Sequence, residues 1–217
     1  MSNLEDKKAK RMARHKLGFL LLAAGSSARM HGSDKLLKKI HGVPQIERIL
    51  TEVMKLNFPI FVTIPANDHK RKFVISRTEA IIIEVQNAEL GIGHSIAEGL
   101  KQITKTFDLL SLAICPSDLP DLKTDSFKKL INYFAIRPEM ICRPVKENPN
   151  KFGHPVIFPK KYFKELTLIE GDKGANNIIQ KNKKNLNEYE TDDESYFSDL
   201  DTLEDFAKWS KRNPQQI

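Results

Sequence analysis

Residues 17–29 read LGFLLLAAGSSAR, so a mostly apolar run passes directly into a loop of small residues. A continuous apolar run that ends in a turn is typical of a strand buried on both faces, as in the middle of a parallel sheet. We therefore predict a buried strand over Leu17–Ala24 and a tight loop at Gly25–Ala28.

Short apolar strands and amphipathic helices alternate along the rest of the chain. Further strands are predicted at residues 60–64, 81–85, 109–115, 140–143 and 155–158. Helices are predicted at residues 44–56, 95–103, 123–134, 160–166, 175–181 and 202–211, with Ser95 and Thr202 as N-caps. This pattern predicts an α/β fold, with one domain built on a doubly wound, mostly parallel sheet.

The composition is that of an ordinary globular protein. The chain has 217 residues, of which 40% are hydrophobic and 29% charged, which excludes widespread disorder and collagen-like repeats. Cys115 and Cys142 lie in apolar runs without a CxxC partner, which is typical of core residues in a reducing cytoplasm. The apolar run Phe19–Ala24 is far shorter than the roughly 18 residues of a membrane span, so we expect a cytoplasmic protein.

The net charge of +7 is concentrated in a basic arm at residues 1–16. A signal peptide is a poor interpretation, because the apolar segment behind the arm is short and contains Gly18. A solvated arm and a contact with nucleic acid or another anionic surface both fit this composition. No aromatic residues interleave with the basic ones, so we expect no specific nucleic-acid binding.

The loop Gly25–Ala28 is followed by two cations, Arg29 and Lys35. Small residues after a buried strand allow backbone N–H groups to converge on a phosphate, and the two cations suit a polyphosphate. No Walker A motif is present, and Gly91–Gly93 begins a dinucleotide fingerprint in which Ile96 occupies the third glycine position. The alternative is an ordinary strand-to-helix turn with basic residues at the surface.

Two acidic segments are candidates for a metal site. Asp118 follows the strand at 109–115, and in open parallel sheets ligands bind at the carboxyl ends of the strands. Asp201 stands before the cap Thr202, so it could join Asp118 in binding Mg²⁺, which prefers oxygen ligands. The alternatives are a turn aspartate at 118 and a solvated acidic turn at 201.

The histidines and the aromatic residues of the last predicted helix do not indicate a further site. The six histidines lack HxH and HExxH spacing, so we expect no zinc site. Phe206 and Trp209 lie three residues apart in the last predicted helix and are interpreted as packing residues.

Six stretches together resemble the molybdenum cofactor cytidylyltransferase group of the MobA-like NTP transferases. They are LLAAGSSARMHGSDKLL (21–37), GIGHSIAEGL (91–100), CPSDLPDL (115–122), GHPVIF (153–158), LTLIEGDKGA (166–175) and DLDTLEDF (199–206). They occur in the order of the family and span about residues 17–206. The resemblance implies a Rossmann variant like that of the nucleotide-diphospho-sugar transferases.

The resemblance also implies a role for each matching residue. The nucleotide triphosphate would be bound by Ala23, Ala24, Gly25, Ser26, Ser27, Arg29 and Lys35, with Ser95 at the base or sugar. Asp118 and Asp201 would hold Mg²⁺, and Arg29, Lys35 and Asp118 would be the catalytic residues. The acceptor would be bound by Gly153, His154, Pro155, Asp172 and Lys173. The pair Ala23–Ala24 is similar to the cytidylyl branch rather than the guanylyl branch.

The chain departs from the family at three positions. His31 and Ser117 stand where the family usually has glycine, and Leu203 stands where proline is common. A serine before the metal aspartate could restrict the approach of a phosphate. These departures keep a non-catalytic alternative open.

From this resemblance we expect an enzyme that transfers CMP from CTP to the terminal phosphate of a molybdopterin-type cofactor and releases pyrophosphate. Residues 17–144 would form the nucleotide-binding half and residues 145–211 the acceptor-binding half. One alternative is another phosphorylated acceptor, such as a sugar or alditol phosphate, or another NTP. A second alternative is a non-catalytic protein that binds the cofactor and delivers it to a molybdenum hydroxylase.

Overall fold

The computed structural model describes residues 16–26, 34–40, 42–147, 151–200 and 202–212. The strands are β1 (Leu17–Leu22), β2 (Lys39–Ile40), β3 (Val43–Pro44), β4 (Ile60–Pro65), β5 (Ile81–Val85), β6 (Ser111–Pro116), β7 (Ile141–Lys146), β8 (Lys151–Phe152), β9 (Val156–Pro159) and β10 (Leu186–Glu190). The α-helices are α1 (Gln45–Met54), α2 (His69–Ile75), α3 (Ile92–Thr106), α4 (Thr124–Phe134), α5 (Phe163–Leu166), α6 (Asn176–Lys181) and α7 (Leu203–Arg212). Short 3₁₀ turns occupy Ala88–Leu90, Lys160–Tyr162, Lys183–Asn185 and Glu194–Tyr196.

In this part of the chain, eight strands form one sheet with β1 near its centre. Their order is β10-β7-β9-β6-β1-β4-β5, with β8 added to β7. The pairs β1–β4, β1–β6, β4–β5 and β7–β10 are parallel, whereas β9 runs antiparallel between β6 and β7. The predicted α/β fold with a mostly parallel sheet is therefore confirmed.

Alternate residues of β1 are buried on opposite faces of the sheet. Phe19 and Leu21 belong to a core that includes α1 and α4, represented by Leu50 and Phe127. Leu20 belongs to a second core, built with residues of α3, α5 and α6. Burial on both faces explains why the sequence of β1 is continuously apolar rather than alternating.

The last helix packs on a third, smaller core. This core consists of Ile40, Leu200, Phe206 and Trp209. Thr202 caps the helix, because its Oγ1 accepts from Asp205 N at 3.1 Å while Asp205 Oδ2 accepts from Thr202 N at 2.9 Å. Trp209 Nε1 donates to the carboxylate of Asp121 at 2.8 Å. The packing role predicted for Phe206 and Trp209 and the cap at Thr202 are confirmed.

Several predicted boundaries differ from the structure. The prediction that Ser95 caps a helix is wrong, because α3 begins three residues earlier, after Gly91, whose φ is 107°. The strand predicted over residues 17–24 is two residues too long, since β1 ends at Leu22. Helix α2 and strand β10 were not predicted from the sequence.

Both cysteines are buried in strands, as predicted. Burial raises the pKa of Cys142 to about 12 and that of Cys115 well above its usual value. Both thiols are therefore protonated near neutral pH and serve as packing residues. Among the described residues, no helix combines the length and apolarity needed to cross a bilayer.

Glu52 of α1 accepts hydrogen bonds from Thr124, the first residue of α4. Thr124 donates to Glu52 Oε2 from its backbone N at 3.0 Å and from its hydroxyl at 2.6 Å. Burial by itself raises the pKa of Glu52, but the hydrogen bonds from Thr124 and Lys55 outweigh it and lower the pKa to about 2. A carboxyl whose folded pKa is depressed contributes stability above its unfolded pKa, and this contribution is lost as the pH falls.

We expect Glu52→Gln to lower the free energy of unfolding at pH 7 by up to about 3 kcal/mol. The difference from the unsubstituted protein should shrink by about 1.4 kcal/mol at pH 3.5, because the unfolded carboxyl is then largely protonated. Urea unfolding at both pH values measures this, with the exposed Glu139→Gln as the control. A difference independent of pH would show that the carboxylate charge contributes nothing.

Candidate active site

The site forms where β1 and β6 end side by side. Leu22 pairs with Pro116 at the last register position of the two strands. Ser117 N donates to Leu22 O at 3.2 Å, and Ala23 N donates to Thr63 O at 2.9 Å. The backbone hydrogen bonds therefore place the loop after β1 directly beside the loop that bears Asp118.

A cavity of about 460 Å³ opens above these strand ends. Its lining residues are Leu22, Ala24, Gly25, Ser26, Lys35, Leu36, Pro65, Ala88, Glu89, Gly91, Ile92, Ser95, Pro116, Asp118 and Asp172. The predicted nucleotide-binding residues Ala24, Gly25, Ser26, Lys35 and Ser95 are thus together around one cavity, which we call the nucleotide cavity. Ala23 is buried behind it, whereas Ser27 and Arg29 lie outside the described residues.

Lys35 and Asp118 form an ion pair in the wall of the nucleotide cavity. Lys35 Nζ lies 2.5 Å from Asp118 Oδ2, and the two side chains are only 18% and 11% exposed. The other carboxylate oxygen, Asp118 Oδ1, is buried and has no hydrogen-bond partner among the described residues. Buried polar atoms are nearly always satisfied, so this oxygen is suited to receive a cation or a donor from a bound ligand.

The second acidic segment meets Asp118 through its backbone. Leu200 N donates to Asp118 O at 3.1 Å, so the stretch before the cap Thr202 contacts the predicted metal aspartate. Asp201 itself lies outside the described residues, as does His31. Within the described ranges, no group of three or more His, Cys, Asp and Glu side chains is placed to hold a metal ion. Asp118 therefore fits Mg²⁺ as one carboxylate ligand, in the manner of sites completed by waters and substrate phosphates.

Arg71 of α2 is a buried arginine that connects both ends of the loop after β1. Its Nη1 donates to Ala23 O at 2.6 Å and to Gly25 O at 2.9 Å. Its Nε donates to Asp34 Oδ2 at 2.8 Å, and the residue is 3% exposed. Asp34 Oδ1 in turn accepts from Leu36 N at 2.9 Å, so Arg71 fixes the residues on both sides of Lys35.

Arg71 was not predicted from the sequence as a residue of the site. It lies in the run His69–Lys72, which has the composition of a solvated helix surface. The available signal was Asp68, whose side chain accepts from Arg71 N at 3.0 Å and caps α2. A cap alone predicts a helix, and it gives no indication that one of the basic residues points inward.

A second cavity of about 270 Å³ adjoins the first. The two cavities share Leu22, Ile92, Pro116 and Asp172 in their walls. The predicted acceptor residues Gly153, His154, Asp172 and Lys173 line this second cavity, which we call the acceptor-side cavity. Pro155, also predicted, is buried and does not line it, whereas the unpredicted Arg143 and Phe152 do.

Gly91 and Gly93 allow a distant loop to dock between the cavities. A Cβ on Gly91 would lie 2.4 Å from Asp172 Oδ1, and one on Gly93 would lie 2.8 Å from Gly171 O. Gly93 N donates to Gly171 O at 2.8 Å. These glycines are therefore required by the close approach of the loop that carries Asp172 to the junction of the cavities.

Ser117 is buried and His154 is partly buried, and both lie near Asp118. Burial lowers the pKa of His154 more than the nearby Asp118 raises it, so the imidazole is neutral at pH 7. His154 Nδ1 and Ser117 Oγ are buried, and neither has a hydrogen-bond partner in the described part of the chain. Ser117 lines neither cavity, so its hydroxymethyl group takes up no room where ligands would lie.

Comparison with known proteins gives a family match. Residues 19–186, more than half of the chain, match the family model described as a MobA-like NTP transferase domain. The chain is 25% identical over 172 residues to the bifunctional protein GlmU of Francisella tularensis subsp. holarctica, covering 79% of this chain and 36% of that protein. The chain thus spans about a third of the length of the curated relatives that it matches.

Solved structures share the fold at low sequence identity. Rv0371c from Mycobacterium tuberculosis H37Rv matches with a TM-score of 0.74 and 20% identity over 90% of this chain and 98% of that one, and it has also been solved in complex with manganese. The 4-diphosphocytidyl-2C-methyl-D-erythritol synthase of Anaerococcus prevotii matches with 0.71 and 16% identity, covering 95% and 99% of the two chains. A CMP:2-keto-3-deoxy-manno-octonic acid synthetase complexed with CTP matches with 0.72 and 11% identity, covering 93% and 99%.

We expect Arg71→Met to lower the free energy of unfolding by about 2–4 kcal/mol, because it removes the charged donor to Asp34 Oδ2 and to the carbonyls of Ala23 and Gly25. Amide hydrogen exchange at Leu36 should also become faster, since its acceptor Asp34 is released. Urea unfolding and native-state exchange measure the two effects.

Lys70→Met is the matched control, because Lys70 is an exposed neighbour on the same helix. Equal unfolding free energies for the two variants would contradict the proposed role of Arg71 in fixing the loop.

Proposed function

Since the chain belongs to the MobA-like NTP transferase family, we propose that it is a nucleotidyltransferase that moves CMP from CTP to the terminal phosphate of a molybdopterin-type cofactor, releasing pyrophosphate. The observation that carries this proposal is the buried Lys35–Asp118 pair in the wall of the nucleotide cavity. A cation and an acid, with one carboxylate oxygen unpartnered among the described residues, are what a bound metal–triphosphate needs.

The triphosphate would lie against the loop after β1. Gly25 and Ser26 line the nucleotide cavity and present little side-chain bulk, so phosphate oxygens can approach the backbone closely. Lys35 would neutralise the β- and γ-phosphates as charge builds on the departing pyrophosphate. Arg29, which lies outside the described residues, is proposed to add a second cation there.

Mg²⁺ would be held by Asp118 and, we propose, by Asp201. The contact of Leu200 N with Asp118 O supports this, because it brings the segment before the cap to the first acid. When bound, the ion would reduce the electrostatic repulsion that an incoming phosphate meets at the α-phosphate. Lys35 orients the Asp118 carboxylate through Oδ2 and leaves Oδ1 available to a ligand.

The acceptor would enter from the acceptor-side cavity, with its phosphate toward the junction at Pro116 and Asp172. Two adjoining cavities allow the two phosphates to be held in line, and such positioning supplies much of the rate enhancement in phosphoryl transfer. A phosphate nucleophile is already ionised at neutral pH, so no general base is required.

Another phosphorylated acceptor is the second candidate. The chain is similar in fold to a 4-diphosphocytidyl-2C-methyl-D-erythritol synthase, and only the acceptor-side cavity would have to differ. The non-catalytic alternative, a protein that delivers cofactor to a molybdenum hydroxylase client, is less well supported. It was kept open partly by Ser117, which lines neither cavity.

We expect Asp118→Asn to abolish Mg²⁺-dependent pyrophosphate release from CTP with a molybdopterin acceptor, while the circular dichroism spectrum stays unchanged. The amide removes the negative charge that a metal–triphosphate requires, but it keeps the shape of the side chain. Asp125→Asn, at a carboxylate whose side chain is 85% exposed, is the control and should retain full activity. Activity of Asp118→Asn within about twofold of the unsubstituted enzyme would contradict the metal role.

A ligand that binds the native state raises the melting temperature of a protein. With Mg²⁺ present and the four NTPs tested in turn, we expect CTP to raise the melting temperature most. In Lys35→Ala the stabilisation should be mostly lost, and KM for CTP should rise while kcat falls, since the charge acts in both the ground state and the transition state. Lys39→Ala, at a side chain outside the nucleotide cavity, is the control. Equal stabilisation of Lys35→Ala and the unsubstituted protein would exclude Lys35 as a triphosphate ligand.

A further inference from the structure

Arg143 is a buried arginine in the wall of the acceptor-side cavity. Its Nε and Nη2 both donate to Glu188 Oε1, at 3.1 Å and 2.6 Å, and its side chain is only 7% exposed. Glu188 thus engages two of the three guanidinium nitrogens. The guanidinium is thus fixed in one orientation by Glu188 and keeps donor capacity for a ligand.

Phe152 presents one face of its ring to the guanidinium of Arg143. The guanidinium carbon lies 3.8 Å from the centre of the Phe152 ring, well within the range of a cation–π contact. Phe152 stands on the two-residue strand β8, lines the same cavity and is 51% exposed. An exposed aromatic ring at the mouth of a cavity is a common contact surface for planar ligands.

Most of the remaining wall of this cavity is apolar. Apolar side chains of β1, α3, β6, β9 and α6 line it, and its polar side chains besides Arg143 are His154, Asp172, Lys173 and Asn176. Hydroxyls of a polyol placed against the apolar side chains would lose hydrogen bonds to water without replacement. The faces of a heteroaromatic ring carry no such groups, and its polar edge could meet the guanidinium.

We infer that Arg143 and Phe152 are the residues that select the acceptor, and that they select a phosphorylated planar heterocycle over a phosphorylated polyol. The heterocycle would lie edge to edge with the guanidinium and against the rim of the Phe152 ring, with an in-plane carbonyl or ring nitrogen accepting from Arg143. The phosphate would point past the exposed Lys173 toward the junction with the nucleotide cavity. This inference rests on the proposed function, because it assumes that the cavity holds the acceptor.

The test is isothermal titration of the full chain, pre-bound to Mg²⁺ and a non-hydrolysable α,β-methylene analogue of CTP. The two probes are pyridoxine 5′-phosphate, a planar heterocycle, and ribitol 5-phosphate, a polyol with the same terminal group. We expect the planar probe to bind at least tenfold more tightly. In Arg143→Gln this preference for the planar probe should be lost. In Phe152→Leu the affinity for the planar probe should fall about threefold to tenfold.

Arg143→Lys separates recognition from simple charge, because lysine keeps the charge but loses the planar fork. It should bind the planar probe as weakly as Arg143→Gln does. All three variants should bind the CTP analogue as the unsubstituted protein does, which also shows that they are folded. Lys160→Gln, an exposed cation paired with Asp108 outside this cavity, is the control.

Equal binding of the two probes, binding of neither, or an unchanged preference in Arg143→Gln would overturn the inference. Failure of the unsubstituted protein to bind the CTP analogue with Mg²⁺ would instead contradict the proposed function. The two failures are distinguishable because the triphosphate is titrated first and the acceptor probes second.

Discussion

The ion pair between Lys35 and Asp118 is the interaction on which the site depends. It joins the segment after β1 to the loop after β6, and it stands in the wall of the nucleotide cavity with both side chains mostly buried. A buried charge without a partner is strongly destabilising, so each residue requires the other in the absence of ligand. The pair also leaves Asp118 Oδ1 unsatisfied among the described residues. The site is therefore complete only when something else contributes a cation or a donor.

The backbone around this pair is held by the protein rather than by the ligand. Arg71 binds two carbonyls of the loop after β1 and, through Asp34, the residues on either side of Lys35. Arg71 itself does not line the nucleotide cavity, so it holds the loop without taking up room there. Such pre-organisation lowers the cost of ordering a loop when a polyphosphate binds. On the other side of the cavity, Gly93 N binds Gly171 O and fixes the loop of Asp172.

The sheet, and the residues that line the nucleotide cavity after β1, could largely be predicted from the sequence. Continuous apolar runs such as residues 17–24 identify strands that are buried on both faces of the sheet. A loop of small residues directly after such a strand must lie at the carboxyl end of the sheet, where ligands bind in this class of fold. The joint metal site of Asp118 and Asp201 stays a prediction, because Asp201 lies outside the described residues, although the neighbouring Leu200 N donates to Asp118 O. Arg71 and Arg143 were missed, because inward-pointing arginines among other polar residues leave no periodic pattern. The glycines at 91 and 93 were noted, but only the structure gives their reason, a backbone 80 residues away.

The two cavities differ in how they balance charge, and this difference limits what each can bind. In the nucleotide cavity a cation and an acid are in direct contact, so the cation can meet a phosphate while the acid meets a metal ion. In the acceptor-side cavity the charge of Arg143 is already opposed by Glu188, whose side chain is 43% exposed. A ligand there gains little from bringing a second negative charge to the guanidinium. It gains more from shape, a flat face and a hydrogen-bond acceptor in the plane of the ring. The anionic group of that ligand is therefore better placed toward the nucleotide cavity, whose wall holds Lys35, as the proposed transfer requires.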